Sequence, residues 1–75
     1  MSDHTYRVTE IVGSSPDGIE QAITNGVQRA GRTVRNLDWF EVTEIRGHFT
    51  DGGPTIGHYQ VTMKLGFRVE EGDED

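Results

Sequence analysis

The residues best suited to chemistry are Trp39, the one tryptophan in the chain, and Gln60. An indole offers a broad π-face for stacking. A primary amide sets a donor beside an acceptor, which matches the donor–acceptor edge of a pyrimidine-like ring. On one surface the two would suit a flat heteroaromatic ligand such as a flavin or a nucleobase. Each residue also has an ordinary reading. A lone tryptophan commonly packs, and a glutamine on a strand is commonly solvated. These two residues alone name no ligand.

Other constellations are weaker. No cysteine is present, which excludes disulfides, iron–sulfur clusters and thiolate zinc sites. His4, His48 and His58 lack metal-ligand spacing. His48 and His58 flank a turn and could meet across a hairpin, but two histidines without a third ligand make a poor zinc site. Asp38 and Glu41 bracket the tryptophan, yet no nucleophile has a neighbouring base, so charge and hydrogen bonding at a contact is their plain role. Gly52-Gly53 is turn chemistry, and Gly13 lacks the spacing of a dinucleotide-binding loop.

Seventy-five residues make one small domain with a thin core, and without disulfides or metal, self-assembly is the remaining support. The charge is −6, from 13 carboxylates against 7 Lys plus Arg. Glu70, Glu71, Asp73, Glu74 and Asp75 supply five of them, leaving 8 against 7 elsewhere. Residues 1–69 thus read as a nearly neutral domain and residues 70–75 as an acidic, solvating tail. A nucleic-acid binder needs a basic footprint, which is missing. No apolar run reaches the roughly 20 residues of a membrane span. Met1-Ser2-Asp3-His4 does not start basic and turn apolar as a signal peptide does, so the expected location is the cytoplasm.

The elements that must position Trp39 and Gln60 follow from patterning. Residues 5–13 are rich in β-branched types and read as a strand. Ser15 suits a helix N-cap, Pro16 the first helical position, and Asp17 the positive end of the dipole. Ile19, Ala22, Ile23, Val27, Ala30 and Val34 then fall within an arc of roughly 140°, one core-facing stripe. Arg29, Arg32 and Arg35 lie outside it. Gly18, Gly26 and Gly31 weaken this helix by about 1 kcal/mol each, so packing must hold it. Residues 37–50 read as a second strand, Asp51-Gly52-Gly53-Pro54 as a turn and residues 56–69 as a third strand. The third alternates cleanly, with Tyr59, Val61, Met63, Leu65, Phe67 and Val69 on one face and Gln60, Thr62, Lys64, Gly66 and Arg68 on the other. In the second, Phe40 and Val42 have one parity, while Leu37, Trp39, Ile45 and Phe49 have the other. Either a bulge near Thr43 switches faces, or both faces bury apolar groups. Each option leaves apolar surface that a lone βαββ unit cannot cover. Trp39 and Gln60 both project away from the helix.

With these elements in place, the blocks Val8-x-Glu10-Ile11-Val12-Gly13-x-Ser15, Leu37-Asp38-Trp39-Phe40-Glu41-Val42, Ile45-Arg46-Gly47, Tyr59-Gln60-Val61 and Leu65-Gly66-Phe67-Arg68 resemble the dodecins. The similarity runs from about Thr5 to Glu70, in the family's order and at near-family spacing. It implies an α+β fold: a βαββ protomer whose three-stranded antiparallel sheet curls around one helix, with twelve copies forming a hollow homododecamer. It also implies flavin binding, two flavins stacking at a two-fold contact between symmetry-related tryptophans. Trp39 matches that tryptophan, Gln60 the glutamine that bonds the isoalloxazine edge, Arg46 an arginine near the flavin, and Arg68 one near the flavin or a neighbouring ligand.

The motifs look bacterial, which favours flavin mononucleotide (FMN), with riboflavin and FAD as further flavins. Arginine forks suit its phosphate, although pairing with carboxylates would equally explain Arg46 and Arg68. Some bacterial dodecins also hold coenzyme A, and the matching positions are Tyr6, Arg29, Thr33 and Arg35. Basic residues late in a helix also complement its dipole, typically by about 0.3–1 kcal/mol, and the two roles are compatible. The resemblance thus implies a flavin storage and sequestration protein, not an enzyme, that quenches flavin photochemistry. The alternative is a structural or coenzyme-A-binding oligomer without a flavin role.

Overall fold

In the computed structural model, which describes residues 3–70, the chain forms β1 (Tyr6–Ser15), α1 (Ile19–Ala30), β2 (Leu37–Thr50) and β3 (Thr55–Arg68). The strands make one antiparallel sheet in the order β1-β3-β2, so the cleanly alternating strand is the central one. Of the acidic tail expected at 70–75, residues 71–75 lie outside the described residues.

One face of β3 carries the core. Val61, Met63 and Leu65 are fully buried with Ala22 of α1, and Ile11, Ile23, Val27, Ala30 and Leu37 pack around them. Burying side chains of this size contributes roughly 1.5–3 kcal/mol each. The helix lies on β1 and β3. Its approach is set by glycine: a Cβ on Gly13 would overlap the Ala22 carbonyl oxygen, and one on Gly26 would sit 3.1 Å from the Gly13 Cα. Phe40, Val42 and Ile45 of β2, beyond the helix, stay exposed on the same side.

The helix start differs from the expectation. Ser15 is not an N-cap: it is the last residue of β1, paired with Tyr59 and only 3% exposed. Its Oγ accepts a hydrogen bond from the Asp17 N–H at 2.9 Å, closing a turn rather than a helix. Pro16, Asp17 and Gly18 carry the chain off the sheet, and α1 starts at Ile19 behind Gly18, whose φ is +141°. The ladder with β3 wins because it satisfies backbone groups continuously up to Ser15. The helix also ends early. Thr33 N–H reaches the Ala30 carbonyl at 3.1 Å in a tightened turn, leaving Val34 beyond the last helical residue.

β2 departs from regular register at three points: between Leu37 and Trp39, between Val42 and Glu44, and between His48 and Phe49. The extra residue Thr43 is the face switch expected there; its Oγ1 donates to the Thr62 carbonyl at 3.2 Å. The hairpin closes through Asp51, Gly52 and Gly53, all at positive φ.

Candidate functional site

The two β2 irregularities nearest the core decide what reaches the open face of the sheet. Leu37 and Trp39 have equal parity, so a regular strand would send both the same way. The inserted Asp38 keeps Leu37 opposite Phe67 on the helix side and sets Trp39 opposite Gly66 on the outer side. Arg46 shares parity with the core-facing Val42, and Thr43 reverses this: Ile45 pairs with Val61, and Arg46 meets Gln60 outside. One extra residue in each place therefore delivers Trp39 and Arg46 to one face.

Trp39 is held by shape. A Cβ on Gly66 would overlap three atoms of the indole six-membered ring, so the ring lies over bare backbone. Tyr6, from β1, meets the indole edge-on with ring centroids 5.1 Å apart at 63°. Trp39 is still 41% exposed.

Gln60 is held by hydrogen bonds. Its Oε1 accepts from Arg46 Nε–H at 3.0 Å, and His48 Nε2 lies 2.9 Å from the same oxygen. His48 in turn stacks on His58 with centroids 4.7 Å apart and planes at 5°.

Trp39 and Gln60 share the outer face but not one spot. Trp39 pairs with Gly66 and Arg46 with Gln60. These positions lie six residue steps apart along β3, about 20 Å at strand rise. A single flat ring cannot touch both within one protomer. A site using both needs a second copy of the chain.

Arg68 sits at the Trp39 end, away from Arg46 and Gln60, since its register partner is Tyr6. It lines a cleft of about 500 Å³ with Arg7, Thr33, Arg35, Asn36 and Glu70. There Asn36 Nδ2 donates to Glu70 Oε2 at 3.0 Å, and Arg35 Nη1 lies 3.8 Å from that oxygen. Arg29 lies in a different groove, of about 460 Å³, with Gly13, Ser14, Asn25 and Arg32. Thr33 and Arg35 are thus together, Arg29 is apart, and Tyr6 belongs with Trp39. Sequence reasoning left out three contributors. Gly66 was legible only as a gap in the polar face of β3. His48, read from sequence only as flanking the turn and able to meet His58 across the hairpin, does stack on His58 and also reaches Gln60 beside Arg46. Arg7 joins the arginine cleft from β1, where it stands opposite Phe67.

This is a small βαββ protein whose open sheet face presents an indole at one end and an amide braced by an arginine and a histidine at the other. The chain matches the dodecin family model over residues 5–70 and belongs to the dodecin family. A dodecin from Thermus thermophilus is 48% identical over 66 residues, covering 88% of this chain and 93% of that relative. A solved dodecin structure from Streptomyces davaonensis superposes with a TM-score of 0.87 at 63% identity, over 93% of this chain and all of that one. One from Streptomyces coelicolor gives 0.86 at 62% identity, over 95% of this chain and 99% of that one. Membership carries with it a small ligand-binding protein that self-assembles. No helix among the described residues is long and apolar enough to cross a membrane.

Proposed function

We propose that this protein stores and sequesters flavin, with FMN as the preferred form, in a homododecamer. One observation carries the reading: in a dodecin-family chain, Trp39 and Gln60 lie on one open sheet face about 20 Å apart. That spacing suits a site assembled from several protomers, with indole supplied by one and the amide by another. The exposed Phe40, Val42 and Ile45 give such an assembly apolar surface to bury.

In this reading Trp39 stacks on the isoalloxazine, and Gln60 and Arg46 bond its polar edge. An indole in contact donates an electron to the excited ring and quenches it before photochemistry starts. Binding also buffers free flavin by mass action. The role is binding rather than catalysis, exercised in the cytoplasm. The arginine cleft of Arg7, Arg35 and Arg68 supports a second, phosphate-bearing ligand of the coenzyme A kind. Arg29 joins that site only if a neighbouring copy brings its groove alongside.

Titrating the purified protein into FMN tests the reading. Flavin fluorescence falls and saturates near one flavin per chain, and Trp39→Ala removes the quenching. Unchanged fluorescence with intact protein overturns it and favours a structural or coenzyme-A-binding oligomer.

A further inference from the structure

His48 lies outside the set matched to flavin, yet its geometry governs the one amide in that set. Arg46 Nε–H is a donor only, so the Gln60 atom 3.0 Å away is the amide oxygen. His48 Nε2, 2.9 Å from the same oxygen, must then donate as well, which fixes the proton on Nε2. Both acceptor sites of Oε1 are taken. The amide that looked from sequence like a donor beside an acceptor offers its ligand the N–H₂ group alone. His58, stacked flat on His48 across the hairpin, holds that ring in place.

We infer that His48 is a positioning residue, braced by His58, that locks the Gln60 amide so that it meets a ligand carbonyl as a pure hydrogen-bond donor. The inference rests on Gln60 contacting the flavin edge. Without His48 the amide rotates more freely and presents carbonyl or N–H to the same edge, so ordering it costs affinity on binding.

Fluorescence titration of the full-length chain with riboflavin tests this. Gln60→Ala and His48→Ala each weaken binding about fivefold to tenfold, the worth of one oriented hydrogen bond. The double variant is no weaker than Gln60→Ala, because His48 acts only through the amide. His48→Gln restores affinity, since a glutamine Nε2–H can donate from nearly the same position. His48→Ala also moves the infrared carbonyl band of bound riboflavin to higher frequency, as a donor is lost, and His48→Gln moves it back. Additive losses in the double variant, or His48→Ala indistinguishable from the parent while Gln60→Ala weakens, overturn the role of His48. Gln60→Ala binding as tightly as the parent overturns the flavin contact on which it rests.

Discussion

The two ends of the open sheet face hold their key residues by opposite means. At one end Trp39 is placed by shape, through an inserted residue at Asp38, bare backbone at Gly66 and the ring of Tyr6. At the other, Gln60 is placed by directed hydrogen bonds from Arg46 and His48. Packing tolerates no added volume but little cares about charge or protonation. Hydrogen bonds tolerate changes in bulk but need each donor and acceptor in turn. The stacking end should therefore fail through small increases in size, and the amide end through loss of single polar atoms.

The largest expected effect is at Gly66. Gly66→Val forces the indole off the strand, and because Trp39 is partly exposed the ring swings out rather than unfolding the sheet. Flavin affinity falls by about a hundredfold, in the range for lost ring stacking, and tryptophan emission of the ligand-free protein shifts to the red. Retained affinity with unshifted emission would break the account of Trp39 by shape. Gln60→Leu, similar in volume, comes next. It costs about tenfold in flavin affinity while leaving thermal stability nearly unchanged, because the amide hydrogen bonds are exposed. A fall in melting temperature of more than about 4 °C would mean that the amide serves the fold.

Tyr6→Ala follows, losing an edge contact worth about 0.5–1.5 kcal/mol. It should weaken flavin binding a few-fold and leave the infrared signature of the amide end untouched. An equal change at both ends would dissolve the distinction between them. Arg35→Ala is the smallest. Its contact with Glu70 is long at 3.8 Å and its side chain 78% exposed, so stability and flavin affinity stay unchanged. Coenzyme A binding, measured by calorimetry, should weaken.

The residues differ in how readable they were. β3 was legible because it is central and covered on one side only, so its alternation maps directly onto the fold from Val61 to Leu65. β2 was half legible. The parity conflict of Val42 and Ile45 pointed to the extra residue at Thr43, whereas Leu37 and Trp39 agree in parity and gave no hint that Asp38 separates them. The Ser15-Pro16 pair has the composition of a helix start, but capping is worth about 1 kcal/mol and yields to a strand ladder that continues to Ser15. The separation of Arg29 from Thr33 and Arg35 was invisible, because residues near in sequence at a helix end can face different grooves, and Tyr6 on β1 goes to Trp39 through strand pairing.

Periodicity, turn chemistry and motif order, all local properties of the chain, determined the element types, the strand order along the chain, the core face of β3 and the family. Distances across the sheet belong to the tertiary structure. It alone decided that Trp39 and Gln60 stand at opposite ends of one face, that Gly66 makes room for the indole, and that His48 claims the second lone pair of the amide. The reason is geometric: residue type sets what a side chain can offer, while register and inserted residues set which neighbour receives it.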